Sequence, residues 1–201
     1  MIRISKACWV LCLAFCLGDI TFAEEAKEPQ AAKENPVVVM HTSKGDIEIE
    51  LYPDKAPITV KNFLRYVDDG FYGGTVFHRV ISGFMIQGGG MTPDLERKPT
   101  HEAIKNEGDN GLKNETGTIA MARTNNPDSA SSQFFINTAD NAQLDHSGPG
   151  PRFGYAVFGK VRSGMDIVRA IEAVKTTTRP PNGDVPVEPV MIESVEPKTK
   201  K

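Results

Sequence analysis

The chain has 201 residues and a formal net charge of −3 at pH 7, enough for one domain with extensions or for two small domains. Its 23 basic and 26 acidic residues are interspersed, without a basic block, which excludes the electrostatic footprint of a nucleic-acid binder. Its three cysteines are Cys8, Cys12 and Cys16, and all three fall in the first element of the chain.

That element is a secretory leader over residues 1–23. Arg3 and Lys6 make a positive start, Ala7 to Leu17 an apolar run, and Thr21-Phe22-Ala23 a small-residue cleavage site before Glu24-Glu25. The run is shorter than the ~20 residues that a membrane-spanning helix needs, and bulky Phe15 before Cys16 argues against a lipoprotein. Cleavage leaves a chain with no cysteine, which excludes a disulfide framework, a thiol nucleophile and a Cys-based zinc site. It also leaves 21 basic and 25 acidic residues. Residues 24–36, EEAKEPQAAKENP, are polar and free of aromatics, and are expected to be a disordered linker. The folded domain is expected over residues 37–197, with a frayed tail at 198–201. No further long apolar segment follows, so no membrane association is expected once the leader is gone.

Val37 to Thr42 and Ile47 to Leu51 read as a β-hairpin turning at Ser43 to Asp46, because Ile47, Ile49 and Leu51 alternate with charged residues. Ala56 to Asp69 has Pro57 in its first turn and Val60, Phe63, Leu64 and Val67 at helical spacing, with Gly70 to stop it. Strands follow at Thr75 to Ile81 and Phe84 to Gln87. Residues 88–116 read as a long loop forming a functional rim. Gly117 to Arg123, Ser132 to Thr138 and Tyr155 to Val161 are further strands, Met165 to Val174 a second helix, Pro180 to Gly183 a turn, and Val187 to Val195 the last strand. Short strands without a βαβ rhythm predict a mainly β fold, a closed antiparallel barrel with two α-helices capping its ends.

The chemistry is harder to place. His41, His78, His101 and His146 lack metal-ligand spacing, and no calcium-loop pattern occurs. Asp145-His146-Ser147 has the residue types of a hydrolase relay, but three consecutive residues cannot stack as one. Gly88-Gly89-Gly90 lacks phosphate-loop spacing and reads as a tight turn. Asn114-Glu115-Thr116 is a glycosylation sequon in form. The odd residue is Arg79, a permanent cation inside the apolar stretch FHRVISGFMIQGGG. Either it snorkels from a barrel wall to an acidic neighbour, or it is the fixed donor of an apolar cavity formed with Phe84, Met85, Phe134, Phe135 and Leu144.

FHRVISGFMIQGG, GTIAMAR, SSQFFINTADNAQLD and GYAVFGKV, in that order, resemble the signature segments of the cyclophilin-type peptidyl-prolyl cis-trans isomerases. The KNEGDNGLKN and AMARTNNPDSASSQFF segments are most similar to short exported bacterial members. The resemblance implies an eight-stranded barrel with a proline pocket on its outer face. It places Arg79 as the catalytic arginine; Phe84, Met85, Phe135 and Leu144 as pocket walls; Gln87 and Gln133 as the polar residues beside them; and Ala122 and Arg123 at the strand end that meets substrate backbone. Tyr155 stands where well-known eukaryotic members have histidine. Gln143 stands where they have tryptophan, which implies weak cyclosporin binding. The implied protein is an isomerase of Xaa-Pro bonds that needs no cofactor and no metal. It acts on unfolded or partly folded proline-containing polypeptides, without nucleic acid, as a periplasmic monomer that helps exported proteins to fold. Two readings keep the same pocket without turnover, a proline-peptide binding module and a holding chaperone.

Overall fold

The computed structural model describes residues 34–199. The expected leader and most of the expected linker, together with residues 200–201, lie outside the described residues. Eleven strands and two α-helices follow one another as β1 (Val37–Thr42), β2 (Gly45–Leu51), α1 (Pro57–Asp68), β3 (Thr75–Val76), β4 (Arg79–Ile81), β5 (Met85–Gly88), β6 (Thr118–Met121), β7 (Phe134–Asn137), β8 (Val157–Ser163), α2 (Met165–Glu172), β9 (Thr176–Arg179), β10 (Asn182–Pro186) and β11 (Met191–Pro197). Two one-turn 3-10 helices, Ala142–Leu144 and Gly150–Phe153, sit between β7 and β8.

The fold is mainly β with two α-helices, as the pattern predicts, but the closed eight-stranded barrel needs correction. Nine strands form one curled sheet in the order β3-β11-β1-β2-β8-β6-β7-β5-β4, open at its edges, and β9 and β10 form a separate two-stranded sheet. The difference arises within the expected strand Thr75 to Ile81. Its first half pairs with β11 and its second half with β5. At the break, the Phe77 amide donates to the Val190 carbonyl at 3.0 Å. One extended segment therefore serves two partners. The sheet's two edge strands are consecutive in the chain, joined by Phe77 and His78 rather than by a ladder.

Alternation within the strands sends every second side chain into one core. Val38, Met40, Ile47, Ile49 and Leu51 of the hairpin are fully buried there, with Phe63 of α1 and Val168 and Ile171 of α2. Aromatic rings form its centre. Phe63 lies 5.1 Å from Tyr72 and 5.2 Å from Phe158 between ring centroids, and Tyr72 meets Phe134 edge-on at 5.6 Å, the geometry that ring quadrupoles favour. The buried Tyr72 hydroxyl donates to the Ser132 carbonyl at 3.1 Å.

Helix α1 begins with Pro57 after Ala56, which has no capping side chain. The cap comes from the long loop instead. The Glu107 carboxylate accepts from the Ile58 and Thr59 amides at 3.1 and 2.8 Å and from the Thr59 hydroxyl at 2.7 Å. A carboxylate there meets the free amides and the positive end of the helix dipole. It also ties the loop to the folded body.

Candidate active site

On the strands that carry the quoted segments, the two faces are clearly divided. Val80, Ile86, Ile119, Phe134, Ile136 and Phe158 point into the main core. Their neighbours point outward, and ladder register aligns them in one row. Arg79 on β4 is opposite Gln87 on β5, Gln87 is opposite Phe135 on β7, Phe135 is opposite Ala120 on β6, and Ala120 is opposite Val157 on β8. Strands lie about 4.8 Å apart, so the Arg79 backbone is about 10 Å from that of Phe135. The row thus runs from a cation, through an amide, to an apolar floor.

That floor is a second hydrophobic cluster. Met85, Ala120, Phe135 and Val157 are buried in it, and Ile81, Phe84, Leu112, Ala122, Leu144 and Tyr155 pack against them half-exposed. Six of the ten residues singled out from the sequence, Phe84, Met85, Ala122, Phe135, Leu144 and Tyr155, are therefore brought together here. The Tyr155 ring meets Phe135 edge-on at 5.5 Å. Its other support is Arg123, whose guanidinium lies 4.5 Å from the ring centroid and donates to the Gly154 and Thr124 carbonyls, each at 2.9 Å. The side chain of Arg123 is thus occupied in holding Tyr155.

Beside the floor, the Gln87 side-chain amide donates to Gln133 Oε1 at 3.0 Å. The Ala122 amide donates to the Gln133 carbonyl at 2.9 Å, which clips the end of β6 to the entry of β7. Gln133 lies close against the glycine triplet. A Cβ on Gly90 would come within 2.4 Å of Gln133, and one on Gly89, at φ +79°, within 2.6 Å of the Phe134 ring. Gly88 ends β5, and Gly89 and Gly90 bend close against Phe134 and Gln133, which accounts for these glycines without a phosphate.

Arg79 closes the row. Its side chain is 43% exposed, and its Nε lies 3.7 Å from the Asp184 carboxylate of β10, itself 49% exposed. Among the described residues this loose pairing is the only charged contact of Arg79, and no hydrogen bond engages its terminal nitrogens. The adjacent His78 is buried, and its Nδ1 has no partner. Burial chiefly, then the Arg97 and Arg79 charges, outweigh hydrogen bonding to Val76 and Gln133 and lower its pKa to about 4. His78 is therefore neutral near pH 7 and is not a proton donor to the site.

The other motifs disperse. Asp145 Oδ1 accepts from the Asn114 amide and side chain at 2.8 and 3.1 Å, His146 Nδ1 pairs with the Phe153 carbonyl at 2.8 Å, and the Ser147 amide donates to the Arg152 carbonyl. The three form no relay. Asn114 is buried, so the sequon is closed in the folded protein. Among the described residues, no group of three or more His, Cys, Asp or Glu is placed to hold a metal ion, and no helix is long and apolar enough to cross a membrane.

Sequence reasoning missed Ile81, Leu112, Ala120 and Val157. Leu112 offered a signal, since it is an apolar residue in the polar stretch GDNGLKN. It is pinned by Asn110, which accepts from the Leu112 amide and donates to the Val157 carbonyl, both at 2.9 Å.

Residues 37–197 match the sequence profile described as cyclophilin type peptidyl-prolyl cis-trans isomerase/CLD. The chain is 57% identical over 160 residues to peptidyl-prolyl cis-trans isomerase cyp18 of Streptomyces antibioticus, covering 79% of this chain and 96% of that one. It is 56% identical over 160 residues to peptidyl-prolyl cis-trans isomerase B of Escherichia coli, covering 79% and 98%. A crystal structure of a cyclophilin type peptidyl-prolyl cis-trans isomerase of Cryptosporidium parvum is similar with a TM-score of 0.71 and 27% identity, covering 83% of this chain and 99% of that one. A second structure of that protein, in the presence of the dipeptide Ala-Pro, gives 0.70 and 28%, covering 82% and 99%.

Proposed function

The chain belongs to the cyclophilin-type family and is a peptidyl-prolyl cis-trans isomerase, and from that premise we propose that Arg79 is its catalytic residue and that the outer cluster is its proline pocket. The observation that carries this reading is the row on one sheet face, which runs from a loosely paired cation through an amide to an apolar floor.

Rotation about a peptide bond meets a barrier of about 18–20 kcal/mol because the nitrogen lone pair is shared with the carbonyl. Twisting ends that sharing, and the lone pair localises on the prolyl nitrogen. A donor held there gains strength only as the bond twists, and only such differential binding speeds the step. Arginine suits the role because its guanidinium stays charged and its donors are rigidly arrayed. Phe84, Met85, Phe135, Leu144 and Tyr155 grip the proline ring and exclude competing water, while Gln87, Gln133 and the Ala122–Arg123 strand end orient the peptide. The Ala-Pro dipeptide used with the Cryptosporidium protein is the kind of ligand this pocket fits. No step requires a nucleophile, metal or cofactor.

In this reading, residues 1–23 are a leader, 24–36 a linker and 37–197 the catalytic domain, working as a monomer in the periplasm on unfolded or partly folded exported chains. The leader pattern supports this location, and the slow uncatalysed reaction, tens to hundreds of seconds, supplies the need. Arg79→Ala is expected to leave the thermal midpoint unchanged and to reduce turnover of an Ala-Pro peptide about a hundredfold or more. Unchanged turnover in that variant rejects Arg79 as the catalytic residue, and peptide binding without turnover in the wild type leaves a proline-peptide binder. Suppression of client aggregation without wild-type turnover selects a holding chaperone.

A further inference from the structure

Helix α2 carries a buried carboxylate that helix formation does not require. Val168, Ile171 and Glu172 are its buried residues, and Glu172 is the one charged residue among them. An i,i+3 ion pair on a helix surface adds little by itself, and burying a charge is costly unless it is fully partnered. The contacts of Glu172 lead to the ends of the pocket-bearing strands, directly at Gly83 and through Arg169 of its own helix at Thr138. Its Oε1 accepts from the Gly83 amide at 2.7 Å, in the turn between β4 and β5. Its Oε2 accepts from Arg169 Nη1 at 2.8 Å, and that same nitrogen donates to the Thr138 carbonyl at 2.5 Å, just past β7.

These contacts converge on one pocket residue. Phe84 follows Gly83 directly, and its carbonyl accepts from the Thr138 amide at 3.0 Å and from Asn141 Nδ2 at 2.8 Å. The peptide unit after Phe84 is thus held by a segment that Arg169 holds, and the Ser82–Gly83 unit, one residue further back, is held by Glu172. We propose that the Arg169–Glu172 pair is a positioning device, fixing Phe84 and the end of β7 from behind the pocket through Gly83 and Thr138. Burial acts to raise the pKa of Glu172, but the hydrogen bonds from Arg169 and Gly83 and the Arg169 charge hold it below the ordinary value, so the carboxylate remains an acceptor on both oxygens. The pair acts on binding rather than on the twisting step, since it touches the pocket wall and not Arg79. This inference rests on the assignment of the outer cluster as the proline pocket.

Glu172→Gln tests it on the mature protein. The glutamine oxygen can still accept from Gly83, but its NH2 then faces the Arg169 donors and breaks the pair. The expected result is a KM for an Ala-Pro peptide raised about five- to tenfold with kcat changed less than about twofold, and shifted or broadened Phe84 ring signals in NMR spectra beside unmoved Phe134 signals. Lys198→Ala, which cuts the 2.7 Å surface pair with Glu48, is expected to leave KM and both rings unchanged. If Glu172→Gln does not fold, Glu172→Asp, one methylene shorter, replaces it with the same two expected results. A folded variant whose KM or Phe84 signals match the wild type overturns the proposal. If the wild type itself lacks turnover, the functional assignment falls, and the ligand-free Phe84 signals alone decide this one.

Discussion

The two faces of β4, β5, β6 and β7 follow the same alternation and meet different ends. Inward, Val80, Ile86, Ile119 and Phe134 join a core that α1 and α2 complete, and its aromatic rings are wholly buried. Outward, Met85, Ala120 and Phe135 reach burial only through a rim of half-exposed side chains brought by loops, among them Leu112, Leu144 and Tyr155. The residue types are nearly the same on both sides. What separates a core from a site is whether a second layer of structure exists to cover it, and an uncovered apolar floor is what a ligand fills.

Adjacent residues of β7 test that division most directly. Phe134→Ala is expected to cost about 3–5 kcal/mol in urea unfolding, with kcat/KM per folded molecule within about threefold of wild type. Phe135→Ala is expected to reverse the balance, costing about half as much stability and lowering kcat/KM by about tenfold or more. Equal stability losses would erase the distinction between the faces.

His78 lies at the break between β3 and β4 and sharpens the comparison through pH. Its pKa falls from 6.5 to about 4 in the folded protein, so below pH 6.5 the unfolded chain binds the extra proton. Its contribution is fully present above pH 6.5 and is lost as pH falls through 4, a drop of about 3 kcal/mol. Denaturation midpoints measured between pH 7 and pH 4 should show that slope, and His78→Gln should flatten it. The smallest effect belongs to Asp184→Asn. A half-exposed pair at 3.7 Å is screened by solvent, so kcat/KM should change by less than about fivefold, and less again at high salt. A larger change would show that β10 sets the aim of Arg79.

Much of this was legible in the sequence because period-2 alternation is a local signal. It located β2, while short apolar runs located β1 and β5 to β8 within a few residues and apolar spacing marked α1 and α2. The split at Phe77 and His78 was not legible, because both halves of the segment look equally strand-like and only partner choice divides them. β9 escaped because Thr176–Arg179 is exposed throughout, with no buried face to imprint a pattern. The cap of α1 by Glu107 depends on a residue 49 positions away. At the site, Phe84, Met85, Phe135 and Leu144 were legible as apolar neighbours for Arg79, and segment resemblance added Tyr155, whereas Phe134, offered with them, turned inward to the core. Val157 and Ala120 were hidden because an inward and an outward apolar residue look alike until the sheet curls.

The pairing of β1 with β11 has a consequence of its own. Val38 lies opposite Pro197, and the Lys198 amide donates to the Val37 carbonyl at 2.8 Å. The domain's entry and exit are therefore one ladder rung apart. A permuted gene, with residues 37 and 197 joined by a short peptide and new ends cut in an exposed loop, would thread the same sheet. The order in which a ribosome delivers these strands is separable from the order in which they lie.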